Sequence, residues 1–122
     1  MDRKLLDSRY VEIDRTAVQL GRVCHRVGLT TEVKRPATTL KMLEAVHSVR
    51  FCMGNCAAPF TRGSVNRNTR RALRALKCVG AILRDYRKEN DGDQAQISAA
   101  LELVERLSAM IINRPVDNDQ TS

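Results

Sequence analysis

Apolar residues recur along most of the chain at alternating spacings of four and three, the period of one face of an α-helix. The first such stretch covers about Arg3–Val27, and Gly28 is placed to end it. The second, about Ala37–Ala57, is apolar around most of its circumference because Leu40, Leu43 and Phe51 widen its stripe. The two stripes consist of Leu6, Tyr10, Ile13, Ala17, Leu20, Cys24 and Val27, and of Met42, Val46, Val49, Met53 and Cys56.

A third periodic stretch, Arg67–Lys88, has two opposed stripes, with Ser64 or Asn66 placed to cap the helix. The apolar stripe is Val65, Thr69, Ala72, Leu76, Val79, Leu83 and Tyr86, and the cationic stripe is Arg67, Arg70, Arg74, Lys77, Arg84 and Lys88, with Arg71 and Arg87 on its flanks. One face of this helix can therefore enter a protein core while the other presents a row of cations.

Turn and capping signals separate the periodic stretches. Pro36 can open the second helix, and the sequence NDGD at residues 90–93 is a turn. Asp93 and Gln96 form a capping box for a fourth helix, which Pro115 ends. The apolar stripe of that helix is Ile97, Ala100, Val104, Leu107 and Ile111.

Four amphipathic helices with short connections predict an all-α domain, a four-helix bundle in up-down-up-down order over residues 1–115. The polar residues 116–122 are expected to form a disordered tail. An aromatic content of only 3% disfavours a β-sandwich or barrel. The structural alternative is a three-helix core with a loose first helix and a hinge at residues 28–37.

The net charge of +7 is concentrated in one segment. Phe60–Lys88 holds nine cations and the single anion Asp85, whereas the rest of the chain holds 12 cations and 13 anions. A solvated helix face normally mixes signs to gain ion pairs, and arginine favours bidentate phosphate contacts. We therefore expect Arg67, Arg70, Arg71, Arg74, Lys77, Arg84, Arg87 and Lys88 to bind the backbone of DNA or RNA. Few aromatic residues are available to stack on bases, because Tyr10 and Tyr86 lie on core stripes and Phe51 and Phe60 are expected to be buried. Binding should therefore tolerate any sequence. The alternatives are an adaptor or inhibitor that docks on an acidic protein, and a face exposed to solvent alone.

The residues that could support catalysis or metal binding lack the spacing that either requires. The cysteines are Cys24, Cys52, Cys56 and Cys78, and the histidines are His25 and His47. Zinc ligands usually form tighter pairs on loops, and no paired carboxylates or glycine-rich phosphate loop are present. We expect reduced thiols, no metal, no cofactor and no enzymatic activity. With no membrane-spanning run and no hydrophobic signal core in MDRKLLDSRY, a cytoplasmic protein is expected.

The order of elements resembles a known family. A small basic four-helix protein with an arginine-rich third helix, RRALRALKCVGAILRDY, and a closing helix LVERLSAMIINRP is similar to the accessory variability determinants of diversity-generating retroelements. It also looks like the proteins encoded in ribosomal-RNA intervening sequences. The resemblance covers about residues 36–115 and implies a ring-shaped homo-oligomer, a pentamer, that binds nucleic acid and a reverse transcriptase. The apolar second helix separately predicts homo-oligomerisation.

Overall fold

The computed structural model describes residues 3–57 and 62–113, and it contains four helices and no strand within those ranges. The helices are α1 (Arg3–Thr31), α2 (Pro36–Ala57), α3 (Arg62–Lys88) and α4 (Gln94–Ile112). The prediction of an all-α four-helix protein is confirmed. Two expectations, the stop at Pro115 and the disordered tail at 116–122, lie outside the described residues.

Helix α1 continues one turn beyond the expected stop, so the prediction that Gly28 ends it is wrong. The backbone N–H of Glu32 donates to the carbonyl oxygen of Gly28 at 2.8 Å. A Cβ placed on Gly28 would lie 3.3 Å from Cγ2 of Thr39 and 3.6 Å from Cδ1 of Leu43. The missing side chain therefore lets α1 approach α2 closely, and this packing outweighs the roughly 1 kcal/mol that a helical glycine costs.

Helix α3 begins at Arg62, before the expected caps Ser64 and Asn66, so that start is also wrong. Gly63 lies in the first turn, and a Cβ built on it would meet no atom within 4 Å. The N–H groups of a first turn have no intrahelical partner in any case. Open surroundings at this end therefore place no packing constraint on where the helix starts.

The helices surround one core, in which α2 packs against α1 and α3, and α4 also packs against α1 and α3. Helices α1 and α3 therefore occupy diagonal corners. Contacts between Thr16 of α1 and Met110 of α4, and between Asp14 of α1 and Arg50 of α2, are compatible with up-down-up-down order. Because α1 contacts both of its neighbours, the three-helix alternative with a loose first helix is wrong. Apart from Thr31, the largest fully buried side chains come from the predicted stripes and include Leu20, Met42, Val49, Leu76, Val79, Leu83, Tyr86, Ile97, Leu107 and Ile111.

A chain of buried hydroxyl groups joins three helices at one end of the core. Thr31 Oγ1 donates to the carbonyl oxygen of Val27 at 3.1 Å, and Thr39 Oγ1 lies 2.8 Å from Thr31 Oγ1 and 2.7 Å from the hydroxyl of Tyr86. Each hydroxyl has one proton, so Thr39 donates to Thr31 and Tyr86 donates to Thr39. All three side chains are at most 2% exposed. These hydrogen bonds fix the ends of α1 and α3 against the start of α2.

Replacing Thr39 with valine is expected to lower the free energy of unfolding by about 2 kcal/mol. The change preserves side-chain shape but leaves the buried hydroxyl of Tyr86 without an acceptor. Urea denaturation measures the loss, and Thr38→Val at the neighbouring half-buried position is the matched control. Equal stability of the two variants would show that the hydroxyl chain contributes nothing.

The candidate nucleic-acid interface

The cationic face of α3 lies opposite its core stripe. Ala72, Leu76, Val79, Leu83 and Tyr86 are at most 1% exposed, which fixes the orientation of the helix in the bundle. The eight cations predicted from the sequence are all exposed. They are Arg67, Arg70, Arg71, Arg74, Lys77, Arg84, Arg87 and Lys88, and we call them together the cationic face. The structure therefore places the eight cations on the exposed side of a single helix, α3.

The one carboxylate on α3 is already occupied by a residue from the α1–α2 connection. Arg35 forms an ion pair with Asp85 through Nη2, and its guanidinium lies 5.3 Å from the centre of the Tyr86 ring. The hydrogen bond to Asp85 is the main cause of a raised pKa for Arg35. Within the described residues, Asp85 pairs with Arg35 and forms no ion pair with the cations of its own helix.

Among the side chains that the structure describes, none of the eight cations is in an ion pair. Like charges one turn apart on a helix cost a few tenths of a kcal/mol each. An anionic partner would relieve this repulsion and would gain charge-assisted hydrogen bonds. The cations of this face are therefore free to pair with an anionic surface.

The cationic face has two parts separated by a neutral turn. Arg67 to Lys77 contains five of the eight cations, and Arg84 to Lys88 contains three, with exposed Ala81 between them. The distance from Arg67 to Lys88 is about 32 Å at 1.5 Å per residue, close to one turn of duplex DNA. Several phosphates can therefore contact the face at once.

The end of α3 is held by a capping motif that sequence reasoning described only as a turn. The N–H of Asp91 donates to the carbonyl of Tyr86 at 2.8 Å, and that of Asn90 donates to Arg87 at 3.2 Å, the pair of bonds in a Schellman motif. Asn90 accordingly has a φ of 57°. This motif satisfies the last carbonyls of the helix that carries the cationic face.

A buried carboxylate then ties the α3–α4 turn to the α1–α2 connection. The side chain of Asp91 is 7% exposed and accepts a hydrogen bond from Nζ of Lys34 at 2.9 Å. Nη1 of Arg35 lies 3.6 Å from its second oxygen. Sequence reasoning missed this cluster. The only signal for it was that Asp85 and Asp91 lie at the C-terminal end of the basic segment while two cations precede Pro36.

The cap of α4 differs in part from the predicted capping box. Asp93 accepts hydrogen bonds from the N–H groups of Ala95 at 3.1 Å and Gln96 at 3.2 Å, which confirms it as the N-cap. Its own N–H donates to Oγ1 of Thr30 at 3.1 Å, so the reciprocal bond expected from Gln96 is replaced by one from α1. Tertiary contact thus supplies the partner that the local motif would have used.

The three thiols that the structure describes are buried or half-buried. Burial raises the pKa of Cys24 to about 12, which keeps it a thiol at neutral pH. Cys52 is also buried, Cys78 is half-buried, and the side chain of Cys56 lies outside those described. In the described ranges no three His, Cys, Asp or Glu residues form a cluster that could hold a metal.

The structure corrects the expectation that Phe51 is buried, because its side chain is 65% exposed. It lies on α2 in a surface depression that Asp14 of α1 also lines, and not on the helix that carries the cationic face. Phe60 lies outside the described residues. None of the helices in residues 3–57 and 62–113 is apolar over a stretch long enough to cross a membrane.

No protein-family model, no curated protein and no solved structure matches this chain. A functional assignment therefore rests on the fold and on the distribution of charge.

Proposed function

We propose that the chain is a non-enzymatic nucleic-acid-binding accessory protein that contacts the phosphate backbone through the cationic face of α3. One observation carries the proposal. All eight cations are exposed and unpaired among the described side chains, while the single carboxylate of the helix is held by Arg35. Such a face gains most from a regular array of anions, and a nucleic-acid backbone is one.

The composition of the face favours phosphate over the acidic protein of the alternative reading. Arginine supplies six of its eight cations, and a planar guanidinium matches the geometry of phosphate oxygens. The described exposed side chains of α3 include no aromatic residue, because Tyr86 is fully buried. Binding is therefore proposed to tolerate any sequence and to depend on salt.

The resemblance to the accessory variability determinants extends this proposal. It assigns a reverse transcriptase as the protein partner and a ring of identical subunits, a pentamer, as the assembly. In a ring the cationic face would be repeated, which would increase the length of nucleic acid that one particle contacts. Light scattering at several concentrations tests the assembly, and a strict monomer would contradict it.

The salt dependence of binding tests the nucleic-acid proposal. If Arg67, Arg70, Arg74 and Lys77 each contact one phosphate of a duplex, the slope of log K against log salt is about −3.6. Raising salt from about 50 mM to 200 mM should then weaken binding roughly 150-fold. Fluorescence anisotropy with a labelled DNA duplex of random sequence measures this, and a matched RNA duplex shows which nucleic acid is preferred.

Two outcomes would contradict the proposal. A slope flatter than about −1 would show that phosphate contacts do not drive the association. No measurable affinity for random DNA or RNA at low salt would instead favour the adaptor that docks on an acidic protein.

A further inference from the structure

A second surface lies between α1 and α2, and it shares no residue with the cationic face. It is an open groove whose middle part encloses about 590 Å³. Its floor is made by small or apolar residues, with Ala17 and Gly21 of α1 facing Leu43 and Val46 of α2. A Cβ on Gly21 would lie 3.6 Å from Cγ1 of Val46, so the missing side chain deepens the groove.

The groove continues along α1 from Val11 to Arg26, which corresponds to about 22 Å of helix. Two largely exposed apolar side chains lie along it, with Val11 50% and Phe51 65% exposed. An open groove of this length is unlike a small-molecule pocket, which encloses most of its ligand. It matches instead the apolar stripe of a helix about four turns long.

The rim of the groove has a strong excess of positive or protonatable groups. The lining side chains with such groups are Arg15, Arg22, His25, Arg26, His47 and Arg50. Arg15 already forms an ion pair with Glu12 at 3.3 Å. Asp14 is the one carboxylate among the lining residues, and it accepts a hydrogen bond from Nε of Arg50 at 2.7 Å. The hydrogen bond to Asp14 also raises the pKa of Arg50. The free cations of the rim are therefore those of Arg22 and Arg26.

We propose that this groove binds an acidic amphipathic helix of a partner protein. The apolar stripe of that helix would pack on the floor, and its carboxylates would pair with Arg22 and Arg26. Helices α1 and α3 occupy diagonal corners of the bundle, so the groove and the cationic face can be occupied together. The chain would then hold a protein partner on one side and nucleic acid on the other.

The last helix of a second copy of the chain fits this groove less well. Helix α4 has two exposed carboxylates, Glu102 and Glu105, but the exposed Arg106 next to Glu105 would repel the rim cations. Within α4, which is described throughout, Ile112 is the one large apolar side chain that is mostly exposed. The chain's own last helix therefore offers only part of the complement that the groove requires.

A designed peptide tests the proposal on the full-length chain. The probe is a fluorescein-labelled 20-residue helix with leucines at spacings of three and four and glutamates on both flanks. A matched peptide has every glutamate replaced by lysine. Fluorescence anisotropy should show the acidic peptide binding at least about tenfold more tightly than the lysine peptide.

Two variants locate the binding. Gly21→Met fills the groove and should weaken binding of the acidic peptide at least about tenfold. The fold should be maintained, because methionine has a higher helix propensity than glycine. The double variant Arg22→Glu with Arg26→Glu removes the free rim cations and should weaken binding of the acidic peptide by a similar factor. If Gly21→Met fails to fold, this double variant alone tests whether the peptide binds in the groove. The control Lys41→Glu changes an exposed cation of α2 that does not line the groove and should leave affinity unchanged.

Three results would overturn the proposal. The first is equal binding of the two peptides, and the second is unchanged binding of the acidic peptide to both groove variants. The third is an oligomer of the parent chain that Gly21→Met dissociates, because this result would show that the groove binds a second copy. Because the groove variants leave α3 intact, they should bind duplex DNA as the parent does. Loss of peptide binding alone is therefore distinguishable from failure of the nucleic-acid proposal.

Discussion

Replacing both Arg70 and Arg74 with glutamate is expected to weaken nucleic-acid binding on the order of 1,000-fold. Both arginines lie in the part of the cationic face that contains five of its eight cations, Arg67 to Lys77. A hydrogen bond to a charged group contributes about 1.5–3 kcal/mol. Two lost contacts give about 3–6 kcal/mol, and repulsion between the new carboxylates and phosphates adds to the loss. Anisotropy titration with the labelled duplex at about 50 mM salt measures the change.

The fold should survive this double substitution. Both side chains are exposed and lie opposite the buried stripe, so the free energy of unfolding should change by no more than about 0.5 kcal/mol. Thermal unfolding followed by circular dichroism checks this directly. A double variant that unfolds with the parent and still binds DNA and RNA like the parent would show that the cationic face is not the binding site.

The control for charge uses the opposite corner of the bundle. Arg22→Glu with Arg26→Glu on α1 lowers the net charge from +7 to +3, as does the α3 double variant, since each replacement removes two units. If binding depends on the local face, the α1 variant should bind within a fewfold of the parent. Equal losses in the two variants would mean that only the overall charge matters.

Replacing Gly92 with alanine is expected to lower the free energy of unfolding by about 3 kcal/mol. Its φ of 79° lies in the left-handed region, which costs an alanine roughly 1–2 kcal/mol. The added Cβ would also lie 2.6 Å from Cγ2 of Thr31 and 3.0 Å from Oγ1 of Thr30. Thr31 cannot rotate away without breaking its hydrogen bonds to Val27 and Thr39. Backbone strain and overpacking therefore act together.

Gly54→Ala provides the matched control for this substitution. A Cβ on Gly54 would meet no atom within 4 Å, and the residue lies within α2. The variant should gain roughly 0.5–1 kcal/mol because alanine has the higher helix propensity. Urea denaturation of both variants measures the difference. A loss below about 1 kcal/mol for Gly92→Ala would show that the α3–α4 turn repacks easily.

The periodic pattern was sufficient to locate the helices and most of the core. In α3 every residue of the predicted stripe from Ala72 to Tyr86 is buried, because a helix with one apolar face has only one way to face a core. The opposite row of cations follows from the same period. The exposed positions of the cationic face could therefore be predicted before any tertiary contact was known.

The sequence was less informative where one segment meets a distant one. Gly28 has the signal of a helix stop, but close packing against Thr39 extends α1 past it. Phe51 has the signal of a buried residue, but the apolar excess of α2 exceeds what the core can cover, so its side chain is exposed. Neither outcome could be deduced from local pattern, since each depends on the distance between two helices.

The sequence by itself determined the number and period of the helices and the segregation of charge on α3, because both properties depend on residues a few positions apart. Only the tertiary structure decided which partners the charges have. Arg35 meets Asp85 across 50 positions of sequence, and the groove beside Arg22 exists only because α1 and α2 pack side by side. Ion pairs and grooves form between segments distant in sequence, and local periodicity contains no information about that pairing.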